Sequence, residues 1–282
     1  MKRTIFAALA ALAIAALACS PVTIDVPRLD TGPTETITIN EPLPDRSEAD
    51  VEISMGAGKL TLGAGAEGLA EGTIQYNVPE WESSISNEGG KLTLTQNADG
   101  AGGIPEGEVI NDWDLKLGAV PMNLTVNAGA YEGDLELGGL PLRNLTLSGG
   151  ASSTTVSFDS VNPEEMETLV CRAGASTLTL TGLADANFAE MEFEGGAGTF
   201  TLDFSGELQR DAAVNIRAGV STLTIVIPAD TATTVTVEGG LNNVDTGGDW
   251  SVSGGAYEIS GAGPTLTIHV DMGVGTLTLV SK

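Results

Sequence analysis

Val214-Asn215-Ile216-Arg217-Ala218-Gly219-Val220-Ser221-Thr222-Leu223-Thr224-Ile225 is the stretch on which the fold of this 282-residue chain turns. Alternating apolar and polar residues mark a strand with one buried face; Val214 and Ile216 make one such run, Leu223 and Ile225 another. Ile216 and Leu223 stand seven positions apart. That interval is odd, so a straight strand would place them on opposite faces, and a bend must intervene. Gly219 is the natural corner, because glycine tolerates positive φ and tight turns.

The same seven-residue interval separates Cys171 from Leu178 around Gly174, Phe193 from Phe200 around Gly195 and Gly196, and Val270 from Leu277 around Gly273. Val126 to Leu135 and Leu147 to Val156 are spaced by nine, still odd. Between first strands, Leu124, Leu145, Leu169, Met191 and Val214 follow at 21, 24, 22 and 23 residues. Second strands, counted at Leu135, Val156, Leu178, Phe200 and Leu223, follow at 21, 22, 22 and 23. Such a period is the mark of a repeat architecture and predicts an all-β fold, a parallel β-solenoid of about 22-residue rungs. A run of antiparallel hairpins is the competing arrangement, since a few residues containing glycine also close a hairpin. The intervening segments favour the solenoid. Each carries apolar anchors to close a rung: Leu140 and Leu142, Val161 and Met166, Leu183 and Phe188.

Apolar residues make up 41% of the chain but aromatics only 4%, and 37 residues are glycine, a balance that suits β-structure with many corners. Lys2 and Arg3, the apolar run 5–17 and Ala16-Leu17-Ala18 before Cys19 read as an export leader, too short to span a bilayer comfortably. Cys19 sits where bacterial lipoproteins carry their lipidated cysteine, with ordinary signal cleavage as the alternative. With Cys19 acylated, Cys171 has no disulfide partner and reads as a buried small hydrophobe. Acidic residues outnumber basic ones 38 to 12, for a formal charge of −26. Nucleic acid and anionic membrane surfaces are therefore disfavoured as partners; a solvated acidic shell, or diffuse attraction for Ca²⁺ or Mg²⁺, remains.

Four segments follow: a leader (1–18), a Pro- and Thr-rich tether (19–49) in which 37–39 adds at most a short strand, an irregular amino-terminal β region (50–112) suited to capping one end, and the repeats (113–282). Residues 97–111 read as a loop. After Pro228 the spacing loosens, 239–243 and 245–249 read as long turns, and the chain ends inside a last unit with no polar cap after it.

Asn77-Val78-Pro79-Glu80-Trp81, Gly90-Lys91-Leu92-Thr93-Leu94-Thr95-Gln96, Trp113-Asp114-Leu115-Lys116-Leu117 and Val120-Pro121-Met122-Asn123-Leu124-Thr125-Val126 together resemble the bacterial toast-rack family. The later repeats, with Gly-Ala-Gly and Leu-Thr-Leu cores, are similar to the related β-helical adhesin-type domains and to the carboxy-terminal domains of cell-wall-active antibiotic response proteins. The resemblance covers roughly residues 50–282 and its motifs are structural. It implies no established enzymatic activity and an envelope-associated role in sensing, scaffolding or adhesion. The response proteins carry several amino-terminal transmembrane helices, where this chain has only a lipoprotein-type leader.

Catalytic constellations are scarce. A serine or cysteine triad needs a histidine base, and the one histidine, His269, lies between Ile268 and Val270 and points outward. Zinc sites fail on the same scarcity, and no calcium-loop or phosphate-loop motif is present, so neither cofactor nor metal is expected. Arg172 and Arg217 occupy equivalent places before Ala-Gly, where stacked guanidinium groups would suit an anionic glycan; a solvent-facing strand end is the plainer reading. Trp81, Trp113 and Trp250 fall in turns or at strand ends, so that Trp81 and Trp250 stand beside Arg172 and Arg217 as a candidate ligand surface. Asn123-Leu124-Thr125 and Asn144-Leu145-Thr146 fit a glycosylation pattern but read as strand residues. The expected function is a lipid-anchored, extracytoplasmic, non-enzymatic interaction module, held to the membrane and meeting an envelope protein or glycan. The alternatives are a carbohydrate-binding or carbohydrate-active β-helix and an envelope-stress sensor.

Overall fold

Leu145 lies beside Leu169, Leu169 beside Met191 and Met191 beside Val214, each pair in parallel strands, so the repeat interval read along the chain is the hydrogen-bonded one. The computed structural model describes residues 28–97 and 103–282, the side chains at 241 and 242 excepted. The leader and Cys19 lie outside the described residues. Strand β1 covers Arg28–Asp30, β2 Glu35–Glu41, β3 Ala49–Ala66, β4 Ala70–Tyr76, β5 Ser83–Glu88, β6 Lys91–Gln96, β7 Ile104–Glu106 and β8 Asn111–Gly118. The long strands β9 (Met122–Glu136), β10 (Leu142–Ser157), β11 (Met166–Thr181), β12 (Phe188–Asp203), β13 (Ala212–Ile227) and β14 (Ala232–Gly247) follow. Short β15 (Ser251–Ser253) and β16 (Ala256–Ile259) precede β17 (Thr265–Ser281). Among the described residues the helical segments are two short 3-10 turns, Pro79–Trp81 and Leu183–Ala186.

The result is an all-β protein built on one long, mostly parallel sheet that does not close into a barrel. The strands from β3 through β9, β10, β11, β12, β13, β17 and β14 pair in parallel with their neighbours, which removes the hairpin arrangement for the repeats.

Ile216 and Leu223 are both buried, as are Cys171 and Leu178, Phe193 and Phe200, and Val270 and Leu277, so each long strand turns one face inward before its corner and the other after it. Phe193 and Phe200 show how the inner side is filled. Their rings meet edge to face across the corner, 5.2 Å between centroids and 69° between planes, a contact worth about 0.5–1.5 kcal/mol beyond area burial.

At the corner itself the ladder skips one glycine in each strand. Pairing passes from Ala173/Gly195 to Ala175/Ala197 without joining Gly174 to Gly196, and the other long strands repeat the omission. Eight glycines stack there in sheet order: Gly56, Gly129, Gly150, Gly174, Gly196, Gly219, Gly273 and Gly240. Their backbones are not at positive φ, so the expected reason for glycine is corrected. A Cβ on Gly174 would lie 2.4 Å from the carbonyl oxygen of Gly150, and one on Gly196 2.6 Å from that of Gly174. What excludes a side chain is peptide-to-peptide approach between strands.

Other expectations also change. The equal spacing of second strands would pair Val156 with Leu178, but Thr154 pairs with Leu178 and Val156 with Leu180. The offset set by Leu145 and Leu169 persists through the corner, and the extra residues lie in the return before β11. There Asn162 is the anchor. It is 1% exposed, its Nδ2 donates to the carbonyls of Leu142 and Ala186, and its Oδ1 accepts from Leu142 N, whereas Val161 is 40% exposed. The segment read as a tether is strand-forming in its described part, because Ile37 and Ile39 let β2 pair antiparallel with β4. The loop read at 97–111 contains β7, which pairs with β1. Trp113 is not at a surface turn: it is 1% exposed in β8, and its Nε1 donates to Asn111 Oδ1 at 3.0 Å. β8 pairs with β3 and β4, so it is β3, not the strand of Trp113, that stacks on β9 and opens the regular array. Asn123 and Asn144 are strand residues in a side-chain ladder: Asn123 donates to Asp50, Asn144 to Asn123, and Thr168 to Asn144.

The largest departure is at the carboxy-terminal end. Residues 239–243 are not a turn but lie inside β14, and β17, last in the chain, inserts between β13 and β14. β17 matches β13 more completely: Val214, Ile216, Leu223 and Ile225 face Ile268, Val270, Leu277 and Leu279, all buried. Two carboxylates hold its ends. Asp211 Oδ1 accepts from the N–H and hydroxyl of Thr265, which holds its carboxyl below the ordinary range. Burial pushes the Asp203 carboxyl up, but Lys282 Nζ at 2.8 Å and the Ser205 N–H outweigh this and hold it low. Both folded values lie below the unfolded one. Their contribution is therefore complete above the ordinary carboxylate range and is lost as pH falls through the folded values.

Two predictions follow from this packing. Gly174→Ala lowers unfolding stability by about 1–3 kcal/mol in a denaturant titration, while Gly247→Ala, whose Cβ meets nothing within 4 Å, leaves it nearly unchanged. Acidification below about pH 4 speeds hydrogen exchange at the amides of β17 before those of β11 and β12; uniform loss of protection would show that the two carboxylates do not hold this strand.

Candidate functional site

Because the corner glycines carry no side chains, the outer surface has a groove along the corner, perpendicular to the strands. This trough encloses about 1050 Å³. Residues of β6, β3, β9, β10, β11, β12, β13 and β17 line it, so at about 4.8 Å per strand it runs for roughly 34 Å. Exposed glycine peptides from Gly56 to Gly273 make its floor.

One rim is the column of residues just before the corner. Thr95, Ser54, Asn127 and Ser148 give an uncharged, hydrogen-bonding half. Arg172, Glu194, Arg217 and Asp271, adjacent in register across β11, β12, β13 and β17, give a charged half. Glu194 stands between the arginines. Its Oε2 accepts from Arg172 Nε at 3.2 Å and its Oε1 from Arg217 Nη1 at 3.4 Å. Both arginines thus stand in one trough, as their equivalent places in the repeat imply, but they are bridged by a carboxylate rather than stacked on each other. These are exposed pairs, worth at most about 1 kcal/mol each.

Trp81 lies elsewhere, at the end of a 3-10 turn, in a separate cleft of about 470 Å³ with Lys59, Val109, Asp112 and Tyr131. Trp250 is half-buried against the core beyond the end of β14. The four residues read as one ligand surface therefore divide among three places. Glu194 and Asp271 were missed, although the signal was legible: each directly precedes a corner pair, Gly195-Gly196 and Met272-Gly273, in the place that Arg172 and Arg217 hold.

Among the described residues the free thiol and the histidine both stand apart from the trough. Cys171 is buried beside Leu147 and Phe193, and burial pushes its thiol up to about 12. His269 Nδ1 lies 3.1 Å from Thr236 Oγ1 on β14, outside the trough. Among the described residues no group of three or more His, Cys, Asp or Glu side chains stands close enough to hold a metal ion, and no helix is long and apolar enough to cross a membrane.

The corner of this bent, mostly parallel sheet thus carries an open trough floored by peptide groups. The sequence matches the family described as the N-terminal domain of toast_rack (DUF2154) over residues 30–180, and the chain belongs to that family. No curated protein matches it. Among solved structures it is similar to a provisionally named cell adhesion protein from Clostridium sporogenes, 18% identical with a TM-score of 0.45, over 89% of this chain and 99% of that one. A provisionally named adhesin from Bacteroides fragilis is 10% identical with a TM-score of 0.39 over 89% and 99% of the two chains. A provisionally named lipid-binding protein from Parabacteroides distasonis is 12% identical with a TM-score of 0.36 over 90% and 99%.

The rim predicts its own response to mutation. Glu194→Ala removes the carboxylate to which both Arg172 and Arg217 donate, so binding of the protein to heparin at low salt strengthens several-fold and returns to the wild-type level at high salt. Unchanged retention on a heparin column at low salt would mean that Glu194 does not mask the two guanidinium groups.

Proposed function

We propose that this protein is a non-enzymatic, adhesin-like interaction module, anchored outside the cytoplasmic membrane through an acylated Cys19, with rungs of about 22 residues wound as a parallel β-solenoid. The trough is its ligand surface, and its ligand is an extended glycan strand of the cell envelope. The observation that carries this reading is the trough itself: long, open, floored by peptide groups and rimmed by Ser, Asn, Thr and Gln before the charged half. Sugar rings pack on such flat floors, while hydroxyl groups hydrogen-bond to rim amides and hydroxyls. Membership of the toast-rack family supports an envelope role, and the export leader with a cysteine at its cleavage position supports the anchor.

A carbohydrate-active enzyme is the second reading, and one observation favours it. Glu194 and Asp271 sit two strands apart on the rim, roughly 9.6 Å at the usual strand spacing, near the separation of carboxylates in inverting glycosidases. Against it, both Glu194 oxygens already accept from guanidinium groups, which leaves neither free to protonate a leaving group.

Cys19→Ala releases the protein from the membrane fraction into the soluble fraction; full membrane retention of that variant would overturn the anchor. For the ligand, the protein is incubated with purified envelope glycans. Binding without new reducing ends, weakened by Asn127→Ala with Ser148→Ala, supports the module; release of reducing ends would establish the enzyme instead.

A further inference from the structure

The two ends of the sheet are finished differently. At the amino-terminal end both halves of β3 are covered: β6 pairs with residues 50–54, and β8 with residues 59–66. At the other end β16 covers only residues 233–236 of β14. Among the described residues, no strand pairs with the outer edge of residues 237–247, although β17 pairs with this stretch on the inner side, Gly240 excepted. In a parallel strand alternate residues direct their N–H and C=O groups away from the neighbour, so this edge presents a row of open backbone donors and acceptors.

The side chains of this edge specify what would cover it. Val237 and Val244 pair with Val270 and Leu277, which are fully buried, but are themselves only half-buried, so the last layer of the core is partly open. Residues 237–249 include Glu238, Asp245 and Asp249 and no lysine or arginine. Along the rim, charge alternates from Arg172 through Glu194 and Arg217 to Asp271, and then fails: Glu238 lies directly beside Asp271. Like charges on neighbouring strands repel, and none of the ion pairs among the described residues includes either carboxylate. A cation on one further strand would restore the alternation.

We propose that residues 237–247 of β14 form a strand-addition site that takes an extended, lysine- or arginine-bearing segment of a partner protein. Backbone hydrogen bonds extend the sheet, apolar side chains of the segment cover Val237 and Val244, and a basic side chain sits opposite Glu238. A second copy of this chain would bring Glu238, Asp245 and Asp249 against the same edge, so charge disfavours it. The site is separate from the trough, and its failure leaves the glycan reading untouched.

The probe is a capped synthetic peptide of about ten residues alternating lysine and valine, with a glutamate-for-lysine peptide as control, titrated into the full-length protein in detergent. The lysine peptide binds and slows hydrogen exchange at the amides of residues 237–247, without slowing exchange in β2 at the opposite end. Glu238→Lys with Asp245→Lys weakens that binding about tenfold with an unchanged melting temperature, and the glutamate peptide does not bind. No binding, equal binding of both peptides, or protection elsewhere overturns the proposal. So does a dimer by light scattering that protects 237–247 and dissociates in the double variant, since the occupant would then be a second copy.

Discussion

Everything in this molecule depends on how closely neighbouring peptides approach at the corner. From Gly150 to Gly174 to Gly196 the hydrogen that stands in place of Cβ faces the preceding carbonyl oxygen, and no methyl group fits between. This contact lets sixteen-residue strands such as β11 and β12 bend together and present leucines and phenylalanines to one core on both sides of the bend. It also leaves the outer surface of the corner bare. The same absence of side chains that permits the fold makes the trough.

The trough ends on β17, one strand short of the free edge of β14. Asp271 ends the lined part of the rim, and Glu238 carries that column to the edge strand. Acidic residues thus do two things here. Within the sheet, Glu194 ties two arginines across three strands, and Asp203 and Asp211 fix the ends of β17. At the margin, Glu238 and Asp245 discourage copies of the same chain from joining edge to edge, a common protection for exposed strands.

The late part of the chain shows where local pattern misleads. Gly239 and Gly240 with Asn242 and Asn243 have the composition of a turn, yet they lie in a long strand, because β17 supplies backbone partners on either side of Gly240. Asn162 was equally unreadable, since its buried side chain is fixed by four hydrogen bonds to backbone atoms of Leu142, Glu164 and Ala186, which only the folded returns bring together. Arg172 and Arg217 were legible as equivalents, but Glu194 between them was passed over; reading the same column through every unit would have found it.

By itself the sequence determined the alternation of buried and exposed residues, the odd interval across each glycine, and the spacing that matches first halves of neighbouring units, because these follow from side-chain geometry along a single strand. It also determined the strongly acidic composition. Tertiary structure alone decided the order β13, β17, β14, the register at Thr154, and which edge stays open. Those depend on competition between distant segments for the same backbone hydrogen bonds and the same core layer, and no local stretch records the outcome.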